Sequence, residues 1–191
     1  MKKRNLAVIV LLMFALMLPL GGTLAYFTQS ETAHNVITTG NVDIKLEEFS
    51  ENEKGELVPF EDVSCMMPGQ SASKIVQVKN TGSGDAWVRI KLDPRFTLDR
   101  DYAEPGFEPD ADDVIPEINE KDWQFKEGCW YYKKMLKPGD TTEPLLKSIK
   151  FAEKMGNNYQ GSEFALEVVA EAVQAKNNGE SVLEAVGWPK A

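Results

Sequence analysis

Hydrophobic and polar residues alternate along much of this chain, and the alternation predicts strands. Residues 40–47 (GNVDIKLE) put Val42, Ile44 and Leu46 on one face and Asp43, Lys45 and Glu47 on the other, the pattern of a half-buried strand. A weaker candidate covers residues 57–63, after the polar SENEKG turn. Residues 73–79 alternate again, with Val76 and Val78 inward. The cleanest case is residues 86–92, where Ala86, Val88, Ile90 and Leu92 share one face and Trp87, Arg89 and Lys91 the other. Asp93-Pro94 reads as its end. Two aromatic-rich strands, 123–125 and 129–136, flank a KEG turn, and another strand runs from 145 to 151.

The breaks between these runs have turn chemistry. MMPGQ and LKPGD each place Pro-Gly at the centre of a type II turn, where proline presets the first dihedral and glycine accepts the positive one. The NTGSGD loop is equally rich in turn formers. Residues 99–121 are acidic and contain Pro105, Pro109 and Pro116; they read as a long surface insertion with at most short pieces of structure. Residues 162–175 (SEFALEVVAEAVQA) stay open between two readings. Phe164, Leu166, Val168, Ala170 and Ala172 alternate as a strand, yet Glu163, Glu167 and Glu171 recur at helical spacing. Residues 180–186 read as a short C-terminal helix stopped by Gly187, with Pro189 beyond. Many short strands separated by Pro-Gly and Gly-rich turns predict an all-β antiparallel sandwich, for which a jelly roll is one solution.

The N-terminus has a different character. Lys2, Lys3 and Arg4 precede an apolar run from 6 to 20, too short to cross a bilayer comfortably. Pro19, Gly21 and Gly22 break it, and Thr23 and Ala25 fit a small-x-small cleavage pattern. Residues 1–25 therefore read as a signal-peptide helix, cut between Ala25 and Tyr26. Contact with membrane is expected only through this segment, before cleavage. Residues 26–39 become a freed N-terminal linker, and residues 40–191 one sandwich domain of ordinary size. Cleavage takes the formal net charge from -9 to -12. That acidity argues against nucleic acid, whose phosphates need a basic face, and it makes monomers repel one another.

Candidate chemistry is sparse. No HExxH motif is present and His34 is the one histidine, whereas catalytic zinc normally takes several protein ligands and keeps an open position. A serine triad would need the same histidine held rigidly, and no nucleophile elbow is found. Asp99, Asp101, Glu104, Glu108, Asp110, Asp112 and Asp113 could offer oxygen ligands to calcium, but they lack EF-hand spacing and read better as a solvated acidic loop. Trp130, Tyr131 and Tyr132 could form a carbohydrate platform; cross-strand packing explains them more simply. Cys65 and Cys129 can pair after export, and sequence alone leaves that pairing open. No cofactor and no metal are expected.

Four stretches, in order, resemble the TasA and camelysin group of secreted Gram-positive biofilm-matrix proteins. They are GGTLAYF with the later TTGNVDIKL; MMPGQSASKIVQVKNTGSGDAWVRIKL; WYYKKMLKPGDTTEPLLKSIKF; and YQGSEFALEVVAEAVQA. Each is weak singly, but together they span most of the chain after residue 25. The resemblance implies a jelly-roll sandwich and a strand over residues 164–174. It implies cleavage by an ER-type (SipW-like) signal peptidase, and export to the extracellular matrix or cell surface. It further implies a fibre subunit that self-associates head to tail by donor-strand complementation. The donor would be residues 26–38, with Tyr26, Phe27, Val36 and Ile37 as apolar anchors. The group also carries a metallopeptidase label, so a secreted camelysin-like metalloendopeptidase stands as the alternative, beside a monomeric cell-surface or spore-coat accessory protein.

Overall fold

The computed structural model describes residues 35–38, 42–60 and 68–189, all within the second of two compact units into which the chain divides, residues 33–191. The expected signal helix and cleavage point lie outside the described residues. The described residues form ten strands in order: β1 (Asn35–Thr38), β2 (Ile44–Glu51), β3 (Leu57–Pro59), β4 (Ser71–Asn80), β5 (Ala86–Thr97), β6 (Val114–Ile118), β7 (Trp123–Lys126), β8 (Cys129–Tyr132), β9 (Leu146–Phe151) and β10 (Glu163–Gln174). They form two five-stranded sheets, ordered β1-β10-β5-β8-β7 and β3-β2-β4-β9-β6. The described pairings are antiparallel except that of β1 with β10, which is parallel.

The inward positions read from the sequence build the core. Ile44 and Leu46 from β2, Val76 and Val78 from β4, Val88 and Ile90 from β5, and Leu166, Val168, Ala170 and Ala172 from β10 pack in one buried cluster shared by both sheets. The two sheets thus make the expected β-sandwich. Trp123 is fully buried there, and its indole N–H donates to Glu143 O at 2.9 Å, which removes the cost of burying that polar atom.

Buried polar groups fix the corners. Asn80 sits at the end of β4 with no exposed surface. Its side-chain amide donates to Gly84 O and Leu136 O, each at 2.9 Å, and its oxygen accepts from Gly82 N at 2.9 Å. One side chain therefore ties the NTGSGD loop to the LKPGD turn. The KEG turn is a two-residue hairpin in which Glu127 (φ 49°) and Gly128 (φ 80°) both adopt the left-handed conformation. That matches the twist of β7 and β8.

Two expectations change, the end of β5 and the C-terminal helix, and two readings gain detail, the acidic insertion and the open stretch 162–175. β5 does not stop at Asp93-Pro94 but runs on to Thr97. Among the described residues β8 meets β5 only at Arg89 and Ile90, so Pro94 falls where β5 has a single strand neighbour, a position that tolerates proline. The acidic insertion contributes β6, an edge strand of the second sheet carrying Pro116. Residues 162–175 resolve as a strand, because β5 pairs with β10 over its whole length; tertiary pairing outweighs the helical spacing of the glutamates. The C-terminal helix does not form. Asn178 reaches across instead, its amide donating to Val186 O (3.0 Å) and its oxygen accepting from Val186 N (2.8 Å). Gly179 has a φ of +80°. That closed loop satisfies backbone groups without the cost of nucleating a short helix.

The acidic insertion is pinned by Asp113. Its carboxylate accepts from Tyr159 Oη at 2.5 Å and pairs with Lys154 Nζ at 2.8 Å. Burial pushes Asp113 up, but the Lys154 ammonium and the Tyr159 hydroxyl outweigh it and hold the carboxyl below its ordinary value. A depressed carboxylate contributes stability above its unfolded-state value and loses it as pH falls through the folded value. Asp113→Asn should therefore lower stability by on the order of 1 kcal/mol at neutral pH. Urea unfolding across pH checks this: the deficit should shrink on acidification, and a deficit independent of pH would contradict the assignment.

Candidate assembly edge

The first sheet is built outward from β5, and β10 lies between β5 and the edge. On one flank β10 is paired with β5 from Glu163↔Thr97 to Gln174↔Ala86 without a break. On the other flank, among the described residues, it meets β1 alone, in the register Asn35↔Val169, Val36↔Ala170, Ile37↔Glu171 and Thr38↔Ala172. Residues 163–168 of β10 have no strand partner on that flank among the described residues. An unpaired strand flank presents a row of backbone donors and acceptors to any extended segment that arrives.

Several other edges are blunted in ways this one is not. β3 has three residues and β6 contains Pro116. The stretch of β5 beyond β8 contains Pro94 between Asp93 and Arg95. Residues 163–168 (EFALEV) contain neither proline nor glycine, and their inward side chains Leu166 and Val168 are buried in the core. This flank is therefore rigidly backed and chemically able to accept a strand.

The outer face of the same sheet is held by Arg89. Its guanidinium donates to Glu171 on β10, to Tyr131 Oη on β8 (3.1 Å) and to Pro189 O in the C-terminal tail (3.0 Å). It also stacks against the Trp188 ring, 4.8 Å from the centroid. Burial opposes its charge, but Tyr131 and Glu171 more than compensate and raise its pKa further. The tail covers a second, smaller apolar cluster of Trp87, Tyr131, Val173, Ala175, Val182 and Ala185. Trp87 Nε1–H donates to Asn178 O at 3.1 Å and anchors it. Glu171, the partner of Arg89, is also the residue opposite Ile37 in β1, so the tail, the sheet and the edge share one crosswise row.

Of the site residues expected from sequence, Val36 and Ile37 lie in β1, paired within the chain's own sheet. Ala25, Tyr26, Phe27, His34 and Cys65 lie outside the described residues. Cys129 is a free thiol on β8; burial raises its pKa, so it is not an activated nucleophile. The run Trp130, Tyr131 and Tyr132 splits between two faces. Trp130 packs on Phe125, Tyr132 on Trp123, and Tyr131 on Trp188, so the three rings form no common platform. In the acidic segment, Asp99 accepts from Asp101 N and Asp110 from Asp112 N, both local turns.

A family model described as camelysin metallo-endopeptidase matches residues 1–104, more than half of the chain. The chain belongs to this family. No curated protein matches it. Among solved structures it is similar to a mutant of carbohydrate-binding module CBM3b from the cellulosomal cellobiohydrolase 9A of Clostridium thermocellum. Identity is 15%, coverage is 69% of this chain and 96% of that one, and the TM-score is 0.30. At that score the likeness carries no argument.

The camelysin description implies a metal, and the described side chains do not fit one. Zinc is held by several His, Cys, Asp or Glu ligands converging on one point. Among the described residues no group of three such side chains is placed to hold a metal ion. What this camelysin-family chain does present is the flank of β10, backed by β5 and braced by Arg89. Arg89→Met should leave Glu171, which is largely buried, without its cation and cost about 2 kcal/mol. Urea unfolding with tryptophan fluorescence checks it: Trp188 emission should shift as the tail loosens. Unchanged stability and emission would remove Arg89 from that bracing role.

Proposed function

We propose that the protein is a secreted, non-enzymatic subunit of an extracellular matrix fibre. Subunits join when the freed N-terminal segment of one adds to the flank of β10 in the next. The observation that carries this reading is the combination of a four-residue strand, β1, on a twelve-residue strand, β10. Among the described residues β1 covers Val169 to Ala172 and no more of β10. A strand entering in the direction and register of β1 would set its residues 29–34 against residues 163–168 and complete the flank.

The exchange is economical in physical terms. The chain's own β1 offers a short parallel pairing, which a neighbour's identical segment can replace bond for bond. The neighbour's longer insertion adds backbone hydrogen bonds at the open stretch, which is strand addition. One subunit's tether meets a different patch on its partner, so the contact is head to tail and propagates into a filament. Before cleavage behind Ala25 the tether stays joined to the apolar signal segment, so processing by a signal peptidase acts as the assembly switch. The family description favours a second reading, a secreted metalloendopeptidase; a monomeric surface accessory protein is the third.

One preparation separates the three. Protein comprising residues 26–191 should form filaments visible by electron microscopy, and protein comprising residues 40–191 should not. Added to the longer form, the shorter one should accept a tether but offer none, and so shorten the filaments. If both forms stay monomeric under the same conditions the fibre reading fails. Chelator-sensitive proteolysis by the pure protein would establish the enzyme instead.

A further inference from the structure

A lysine and a glutamate point into the core where the alternation calls for apolar residues. On β2 the inward series is Ile44, Leu46, Glu48; on β4 it is Lys74, Val76, Val78. Lys74 Nζ lies 2.8 Å from Glu48 Oε1, and the two side chains are 3% and 5% exposed. Glu48 stands opposite Val76 in the ladder, so Lys74 is its diagonal neighbour on the same face, a separation that long side chains bridge. The pairing of β4 with β9 shifts register between Ser73 and Val76, a span that holds Lys74 and Ile75; such bulges re-aim side chains. The Phe60 ring closes the site on another side, with its centroid 3.6 Å from Nζ.

A buried ion pair of this kind is poor at stabilising a fold, because desolvating both charges consumes most of the attraction. The same dryness and contact suit a different outcome. We infer that Lys74 and Glu48 form an intramolecular amide, a covalent staple between β2 and β4. A proton passes from the ammonium to the carboxylate, leaving a neutral amine against a carboxylic acid. The amine lone pair attacks the Glu48 carboxyl carbon and forms the N–C bond. The carbon–hydroxyl bond then breaks, and the hydroxyl leaves with a proton from the attacking nitrogen as water. One amide and one water result, and nothing is oxidised or reduced. Contact distance in a fixed site supplies the effective concentration that amide formation lacks in free solution. Exclusion of water disfavours the reverse hydrolysis.

Mass spectrometry of the denatured protein comprising residues 26–191 decides this without requiring any variant to fold. The expected mass is one water below that of the sequence, and Lys74→Met should return to its own full sequence mass. Trypsin should leave Lys74 uncut and release the Glu48 and Lys74 peptides joined. A wild-type chain at full sequence mass, cleaved after Lys74, overturns the proposal. It would leave a non-covalent ion pair and would not touch the fibre reading.

Discussion

The structure depends on the antiparallel ladder between β5 and β10. Both strands are twelve residues long and are in register throughout. Their inward side chains supply much of the shared core, and their outward side chains include Arg89, Glu171, Trp87 and Val173, on which the C-terminal tail rests. A strand gripped so completely on one flank holds its other flank straight and fixed. That makes the side of β10 that the described residues leave partly uncovered a preformed surface rather than a frayed edge.

Electrostatics act in opposite senses at short and long range. Nearby charges brace this sheet: Arg95 meets Glu167 at 2.7 Å, and Arg89 meets Glu171. At long range charge does the opposite: on the proposed reading a chain cut behind Ala25 would carry a net charge of -12, which pushes copies apart. The proposed association would then have to come from backbone pairing and apolar anchors, and added salt would ease it by screening the repulsion. A strand-addition contact meets that requirement, because its hydrogen bonds are made by groups every residue carries.

Much of the sandwich was legible in the alternation. Val42 to Leu46, Val76 to Val78 and Ala86 to Ile90 were assigned their correct faces because each has one buried and one wetter side. The Pro-Gly corners were legible because few residues other than glycine accept Gly69 or Gly139 at positive φ. Where the sequence misled or left two readings open, a non-local contact decided the outcome. Pro94 is a breaker in isolation, yet it sits on β5 beyond the reach of β8. The glutamates of residues 163–171 have helical spacing, yet Glu167 and Glu171 serve as cross-strand partners for Arg95 and Arg89. Residues 180–186 look helical, yet Asn178 captures their backbone. The flank of β10 could not be read at all, since which strands become neighbours is a property of the whole sheet. Lys74 and Glu48 did leave a signal. Each shares the parity of the apolar residues in its strand, and a charge at such a position is itself informative.

Hydrogen exchange at residues 163–168 tests the account most directly. These residues have β5 on one flank and no described strand on the other. If a neighbour's tether completes β10, the amides of this stretch that point away from β5 should exchange readily in the monomer. They should become strongly protected in assembled material, while amides along β5 change little. Assembled fibres in which that stretch exchanges as fast as it does in the monomer would contradict strand addition at β10.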